Sequence, residues 1–354
     1  MLRHFRGSIL FALACLILGA LYGWESTHLL SGMASVLWIV IVLTVLEVSL
    51  SFDNAVVNAT VLKDMSEIWQ KRFLTWGMVI AVYGMYILFP LAIVAVAAGI
   101  GPVEAVNLSL NNPAEYERIV SSAHTGIAGF GGAFLGMVGL KFFFDEEKDV
   151  HWIHVIEHKL AAVSAVPAVE IAVLLLSLWG ISSLLPEAEQ MTFLVAGIFG
   201  IVTFIAVDAV GTIMKAREDR LKLSGAVVHA GLGGFLYLNV LDASFSFDAV
   251  IGAFALSNNM VVIALGLSIG AMFVRSMTVL LVRKGTLGIY RYLEHGAFWA
   301  ILALAVIMLA SARYEIPETI TGLIGATFIG FSLWWSVRHN RANPEPIEES
   351  VRGD

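Results

Sequence analysis

The chain has 354 residues, of which 58% are hydrophobic and only 14% are charged. Soluble domains contain about 25% charged residues, so this composition excludes an ordinary soluble protein and indicates a polytopic membrane protein. The net charge of −7 says little, because membrane topology depends on where Lys and Arg lie. The single cysteine, Cys15, excludes an internal disulfide and a thiolate metal cluster. The few scattered basic residues give no support for nucleic-acid binding.

Ten apolar segments follow one another along the chain, and a membrane span needs about 20 apolar residues. We therefore predict an all-α fold, a polytopic bundle of about ten transmembrane helices. The ninth segment is short, and the second and seventh are long. The predicted spans are 7–24, 34–62, 74–98, 124–144, 160–185, 193–214, 227–257, 260–282, 296–311 and 318–337.

Lys and Arg lie almost entirely in the loops on one side of these spans. Of the 21 such residues, only Arg118 and Arg313 fall on the other side, and Arg275 lies within a span. Cytoplasmic loops are rich in Lys and Arg, so we expect a bacterial inner-membrane protein with both termini in the cytoplasm. The first span follows Arg3 and Arg6 as a signal peptide would, but it lacks a clean cleavage site, so we expect it to be retained.

Two phrases in the second and seventh spans match in register. LEVSLSFDNAVV begins at Leu46 and LDASFSFDAVIG begins at Leu241. Weaker similarity continues through the next two spans, so spans 2–4 and 7–9 form an internal repeat. The two copies begin five spans apart, an odd number, so equivalent helices must cross in opposite directions. Such inverted repeats are common in secondary transporters, which bind their substrate where the repeats meet.

The repeat divides the chain into segments of one membrane domain. We expect a single domain over 1–354, with the first repeat at 34–144, a linking segment with two extra spans at 145–226, the second repeat at 227–311 and a disordered cytoplasmic tail at 338–354.

Each repeated phrase places two carboxylates inside the membrane, where they are costly and usually line a polar interior or an ion path. Glu47 lies near the middle of its span and shares one helical face with Ser51 and Asn54. Asp53 lies about 120° away from Glu47 on an ideal helix. Either Asp53 therefore faces a different neighbour, or the helix unwinds around 49–52.

The polar side chains of the two phrases all offer oxygen atoms, a set that suits hard divalent cations such as Mn²⁺, Ca²⁺ or Mg²⁺. Arg275, the intramembrane cation, lies at about the depth of Asp53, so we predict an Asp53–Arg275 ion pair with a gating role. The alternative is that the four acids are structural, paired or protonated, and hold helices together. The predicted metal-binding residues are Glu47, Ser51, Asp53, Asn54, Asp242, Ser246 and Asp248.

These phrases resemble the motifs of the TerC family of integral membrane proteins, within the LysE-like transporters. The resemblance covers about 34–144 and 227–311. It implies metal-ion efflux, chiefly of Mn²⁺ and also of Ca²⁺, and links to tellurite resistance and to metallation of exported enzymes. The first motif, E-x5-DN, is matched by Glu47, Asp53 and Asn54. The second, D-x-x-F-S-x-D-S, is matched from Asp242 to Asp248, but Ala249 replaces its final Ser. The third, G-x3-G/A-x4-R, is matched by Gly266, Gly270 and Arg275.

Weaker candidates lie outside the repeat. Glu170 and Asp208 interrupt apolar runs and indicate either a second polar site or hydrogen-bonded buried acids, with equal weight. HWIHVIEHK places three histidines on one helical face beside Glu157. That pattern suits a metal site or a pH sensor, although an interfacial amphipathic helix is the favoured interpretation. The three are His151, His154 and His158.

The expected function is export of a divalent cation by alternating access around Glu47 and Asp242, with proton coupling inferred from carboxylate chemistry. We expect no enzyme activity and no organic cofactor. The metal ion is the substrate, and lipid and protons are the other expected partners; the oligomeric state stays open. Two alternatives remain. One is a membrane protein that holds a metal or a protein without transport. The other is an intramembrane metal-dependent hydrolase, which lacks an evident general base beside an open metal site.

Overall fold

The computed structural model describes residues 2–77, 79–144, 150–163, 168–223, 231–254, 256–314 and 316–342. Every regular element in these ranges is helical, which confirms the all-α prediction. The third span is π-helical over Phe73–Gly77 and Ile80–Leu88, and we call these two stretches the π-segment. The α-helices are α1 Leu2–Thr27, α2 Leu30–Leu50, α3 Phe52–Leu62, α4 Glu67–Arg72, α5 Phe89–Ala98, α6 Pro102–Asn111, α7 Pro113–Ser122, α8 His124–Phe143, α9 His154–Val163, α10 Val169–Ser182, α11 Glu187–Leu223, α12 Leu232–Phe254, α13 Met260–Arg283, α14 Thr286–Ile289, α15 Leu293–Ser311 and α16 Glu318–Ala342.

Within the described ranges, nine helical stretches are long and apolar enough to cross a membrane. The fifth predicted span is the shorter apolar helix α10, and residues 164–167 of that predicted span lie outside the described residues. Large apolar side chains such as Leu10, Trp38 and Trp179 are exposed on the outer faces of the bundle. Such surfaces are expected where helices contact lipid tails, which are as apolar as the side chains. The chain is therefore a multi-pass helical membrane protein.

Two contacts between a helix of the first repeat and a helix of the second each have an equivalent contact in which the two helices have exchanged repeats. In the first repeat α2 packs on α13 of the second, and in the second α12 packs on the π-segment of the first. In the same way α3 packs on α15, and α12 packs on α8. A pseudo-twofold relation between the two repeats requires such pairs of equivalent contacts. The opposite direction of crossing stays a prediction.

The contact between α2 and α13 depends on two glycines one helical turn apart. A Cβ atom on Gly266 would lie 2.5 Å from Cβ of Leu43, and one on Gly270 would lie 2.5 Å from Cβ of Glu47. Small residues allow helix backbones to approach closely within a membrane. The predicted G-x3-G pattern therefore brings α13 directly against the part of α2 that carries Glu47.

The second span is interrupted at the single residue Ser51, which is less than the unwinding over 49–52 that one of the two predictions for the first phrase requires. Asp53 faces a different neighbour, α16, as the other prediction requires. α2 ends at Leu50 and α3 begins at Phe52, with Ser51 between them at φ −101° and ψ 15°. The backbone N–H of Ser51 still donates to the carbonyl of Glu47 at 2.9 Å. The equivalent phrase of the second repeat lies inside the continuous helix α12. The two copies therefore differ in backbone as well as in sequence.

The predicted disordered tail begins too early at 338, because α16 continues to Ala342. Several contacts stabilise this end of the helix, among them a ring contact between His339 and Tyr292. The side-chain amide of Asn340 donates to the carbonyl of Ile289 at 2.8 Å. The guanidinium of Arg338 lies 5.7 Å from the ring centre of Trp334. Residues 343–354 lie outside the described residues.

Candidate functional site

A buried polar cavity lies among α2, α3, α12, α13 and the π-segment, where the two repeats meet. The space that the centre of a water molecule can occupy inside it is about 30 Å³. One buried water needs about 10–15 Å³ of such space. The cavity therefore has room for a small cation or a water molecule. It is lined by Glu47, Asn54, Asn58, Phe73, Tyr86, Asp242, Ser246, Ala271, Val274, Arg275 and Thr278.

Glu47 contributes one engaged and one unpartnered carboxylate oxygen to this cavity. The hydroxyl groups of Ser51 and Tyr86 donate to its Oε1 at 2.8 and 3.0 Å. Its Oε2 is buried and accepts no hydrogen bond from the described residues. Ser51 lies one helical turn after Glu47, at the interruption between α2 and α3, and donates its hydroxyl to the side chain four residues earlier.

Asp242 is surrounded by donors instead. The side-chain amide of Asn58 donates to its Oδ1 at 2.7 Å, and Nη2 of Arg275 lies 3.6 Å from its Oδ2. The side chain of Asn54 also reaches the Asp242 carboxylate. Ser246 lines the cavity but donates to the backbone carbonyl of Asp242 at 2.8 Å. The two central acids of the repeat therefore have different surroundings.

Three buried oxygens at the cavity lack hydrogen-bond donors within the described part of the chain, namely Glu47 Oε2, Asn54 Oδ1 and Asn58 Oδ1. Buried polar atoms are normally satisfied, and unsatisfied ones are costly. Carboxylate and amide oxygens are ligands of hard divalent cations. No three His, Cys, Asp or Glu side chains converge in the described ranges. A cation held here would therefore rely on neutral oxygens as well as on Glu47 and Asp242.

The predicted Asp53–Arg275 ion pair is wrong, because the guanidinium of Arg275 faces Asp242. Asp53 lies in the first turn of α3 on the side of α16, where its Oδ2 is 3.8 Å from the position of a Cβ on Gly325. Its Oδ1 accepts the backbone N–H of Asn54 at 3.0 Å. Equal depth along two helices did not bring these side chains together, because Asp53 faces α16 whereas Arg275 faces Asp242 on α12.

The remaining predicted metal ligands are divided by these contacts. Glu47, Asn54, Asp242 and Ser246 line the cavity, and Ser51 contacts it through Glu47. Asp53 does not line it. The side chain of Asp248 lies outside the described residues.

Sequence reasoning missed several cavity residues, among them Asn58 and Tyr86, whose polar groups contact the two central acids. Asn58 follows Asn54 by one helical turn and Glu47 by three turns, so a longer search for polar side chains on that face would have found it. Tyr86 lies in an apolar stretch of the π-segment with no periodic signal. π-Helical turns are rare and occur frequently at functional sites, but the sequence does not indicate where one forms.

The two weaker acids lie away from the cavity. Glu170 is half-buried in the first turn of α10. Asp208 on α11 accepts a hydrogen bond from Lys141 and lines a separate, open pocket near the predicted cytoplasmic ends of the helices. Neither residue joins the central site.

Glu157 forms an anchor that sequence analysis did not identify. Nε1 of Trp299 donates to its Oε1 at 2.9 Å, and Nδ1 of His295 lies 3.0 Å from its Oε2. The backbone N–H groups of Trp152 and Ile153 also donate to it. Burial raises the pKa of Glu157, but the hydrogen bonds from His295 and Trp299 outweigh it and hold that pKa at about 2. The anchor fixes the segment around α9 to α15.

The predicted histidine cluster is only partly described. Nδ1 of His151 lies 3.7 Å from Oε2 of Glu157. The side chains of His154 and His158 lie outside the described residues. The metal-binding and pH-sensing interpretations of this cluster therefore stay predictions.

The fold and the cavity together define a multi-pass α-helical membrane protein with a polar cavity buried among the helices that carry the two matched phrases. Residues 52–343 match the family described as "Protein of unknown function (DUF475)", and the chain belongs to that family. No curated protein and no solved structure matches the chain.

Proposed function

We propose that this protein transports divalent metal cations across the membrane, with Mn²⁺ as the main substrate and Ca²⁺ as a second one. The observation that carries the proposal is the set of unpartnered buried oxygens on Glu47, Asn54 and Asn58 beside the carboxylate of Asp242. This all-oxygen donor set suits hard divalent cations better than zinc or copper. The resemblance of the two phrases to TerC motifs supports the same substrate class.

The charge of the site is compatible with reversible binding. Two carboxylates and one guanidinium line the cavity among the described side chains, which leaves a net charge of −1 when all are ionised. Protons that compete for Glu47 and Asp242 would weaken cation binding. Cation exit in exchange for proton entry is therefore the coupling we propose, by alternating access of the two repeats.

We further propose that the protein lies in a bacterial inner membrane with both termini in the cytoplasm, and that transport is outward. The concentration of Lys and Arg in the loops on one side of the spans supports the orientation of the termini. The resemblance of the two phrases to TerC motifs, which implies efflux, supports outward transport.

Transport is tested in proteoliposomes that contain a Mn²⁺-sensitive dye. The wild type should carry Mn²⁺ across the bilayer, and Glu47→Gln should abolish most of the flux because it removes the unpartnered carboxylate oxygen. Glu170→Gln is the matched control, since it removes an acid of the same type away from the cavity. Absence of wild-type flux, or equal flux in the wild type and Glu47→Gln, would refute the proposal.

A further inference from the structure

Arg275 is attached to Asp242 only loosely. The Nη2–Oδ2 distance of 3.6 Å exceeds the 2.7–3.2 Å of a hydrogen bond. Nη1 of Arg275 is buried and has no hydrogen-bond partner among the described residues, although the side chain is only 9% exposed. Arginine–carboxylate pairs are frequently bidentate, with two parallel hydrogen bonds. The guanidinium of Arg275 lies close enough to balance the charge of Asp242 but does not form a hydrogen bond with it.

The guanidinium has a second contact that holds it back from Asp242. Its central carbon lies 4.6 Å from the ring centre of Phe73, a cation–π geometry that is worth most where water is excluded. A Cβ on Gly77 would lie 3.1 Å from Nη2. Phe73 supplies an aromatic face and Gly77 leaves space, both from the π-segment. The guanidinium therefore lies between a carboxylate and a ring.

A divalent cation in the cavity would compete with Arg275 for the same carboxylate. Asp242 already accepts a hydrogen bond from Asn58 at Oδ1, so Oδ2, which faces Arg275, is the oxygen left for a metal ion. Two positive charges about 4 Å apart repel each other by several kcal/mol at the effective dielectric constant of a protein. Cation binding therefore favours movement of the guanidinium away from Asp242.

We propose that Arg275 is a tethered counter-cation that occupies Asp242 in the empty site, and that Phe73 holds its guanidinium when a metal ion replaces it. This inference rests on the proposed function. It assigns Arg275 to release: return of the guanidinium to Asp242 expels the bound ion, so that the site does not retain its cargo.

Mn²⁺ binding to the purified full chain in detergent tests the competition, with free Mn²⁺ measured by electron paramagnetic resonance. Arg275→Gln should bind Mn²⁺ about tenfold more tightly or better, because the competing charge is gone. The same variant should carry less Mn²⁺ in proteoliposomes, because release is slowed. Arg275→Lys retains the charge and should bind with nearly wild-type affinity.

The Phe73→Leu variant tests the same competition while Arg275 itself is unchanged. Without the ring the guanidinium stays with Asp242, so Mn²⁺ binding should weaken several-fold, about what one cation–π contact is worth. In the Arg275→Gln background the Phe73→Leu change should have no effect on Mn²⁺ affinity. This double-mutant cycle separates competition from general disruption of the fold.

The outcomes distinguish this inference from the proposed function. If the wild type binds no Mn²⁺, or if Glu47→Gln binds as well as the wild type, the proposed function fails. If Glu47→Gln loses binding while Arg275→Gln binds equally or more weakly than the wild type, the function stands and the counter-cation role is overturned. If Arg275→Gln does not fold, unchanged or tighter binding by Phe73→Leu overturns that role instead.

Discussion

Glu47 and Asp242 occupy equivalent positions in the repeat, but their carboxylates have different hydrogen-bond partners. Hydroxyl groups hold one oxygen of Glu47 and leave the other without a donor, whereas amide and guanidinium groups face both oxygens of Asp242. For the proposed transport, Glu47 is therefore the carboxylate that an incoming cation would meet. Asp242 becomes available at Oδ2 when Arg275 moves, while Asn58 stays on Oδ1.

Asn58 should be as important as the acids for cation binding. Asn58→Ala removes the 2.7 Å donor of Asp242 and one unpartnered amide oxygen, so we expect Mn²⁺ affinity to fall about tenfold, the usual effect of losing one buried hydrogen bond to a charge. Titration with Mn²⁺ in detergent measures the change. Asn239→Ala removes an amide of α12 that, among the described residues, donates to the carbonyl of Phe235 alone, and it should leave the affinity unchanged. Equal losses in both variants would contradict the role of Asn58.

Tyr86 positions Glu47 from the π-segment. Tyr86→Phe keeps the ring and removes the hydroxyl that donates to Oε1 at 3.0 Å, so the carboxylate loses one of two fixed contacts. We expect slower Mn²⁺ transport in proteoliposomes with the protein still folded. Tyr83→Phe is the matched control, since Tyr83 lies on the exposed face of the same segment. Wild-type transport by Tyr86→Phe would show that Ser51 alone positions Glu47.

At the scale of helices, the site depends on how closely α13 approaches α2 and on the break between α2 and α3. Because Gly266 and Gly270 of α13 have no side chains, the backbone of α13 lies directly against α2 at the level of Glu47. Ser51, at the break, directs its hydroxyl toward Glu47, and Asp53 in the first turn of α3 faces α16. The cavity is therefore a product of helix packing and of one interruption.

Gly270→Ala should disrupt the site through packing. The new Cβ would lie 2.5 Å from Cβ and Cγ of Glu47, so α13 must move away or Glu47 must turn. We expect a lower melting temperature, corresponding to about 1–3 kcal/mol, and weaker Mn²⁺ binding. Gly180→Ala adds the same methyl group in open space on α10 and should preserve both properties. Unchanged stability and binding in Gly270→Ala would contradict the close approach of the two helices.

The Glu157 anchor predicts a defined pH dependence. Its pKa is lowered from 4.5 to about 2, so its stabilisation is fully present above pH 4.5 and is lost as the pH falls toward 2. Glu157→Gln should lower stability by about 3 kcal/mol at neutral pH, and this difference should shrink below pH 4.5. Thermal melts of both proteins across pH measure it.

The control for the anchor is Glu115→Gln. Glu115 forms an exposed ion pair with Arg118, and such pairs contribute little. A difference between Glu157→Gln and the wild type that grows on acidification would contradict the assigned direction.

At the scale of the whole molecule, two halves with exchangeable contacts surround one asymmetric site. The exchange of contacts supports a pseudo-twofold arrangement, and the site lies where helices of both halves meet. The break in α2–α3 and the continuity of α12 make the halves unequal. An asymmetric site is expected if the two halves move differently during transport.

Inversion of the repeat predicts where two equivalent loops lie. Asp64 follows the second span and Asn258 follows the seventh, and both are exposed. With the sole cysteine replaced by Cys15→Ala, Asp64→Cys should react with a membrane-impermeant maleimide only from the cytoplasmic side, and Asn258→Cys only from the outside. Labelling of both from the same side would contradict the inverted topology.

The sequence by itself determined the fold class, the approximate spans and the repeat. Long apolar runs and matched phrases are properties of consecutive residues, and the cost of exposing backbone to lipid makes such runs helical whatever their neighbours. The sequence also indicated Glu47, Asn54, Asp242 and Ser246, because acids in apolar runs are rare.

Only the tertiary structure decided which of these groups meet. Arg275 pairs with Asp242 rather than with Asp53, and Asn58 and Tyr86 join the cavity, because side-chain contacts depend on which helix faces pack together. Glu157 finds its partners on α15, more than a hundred residues away. The depth and spacing of residues along one helix do not reveal how that helix is rotated about its axis relative to its neighbours. That rotation decides which side chains meet in the site.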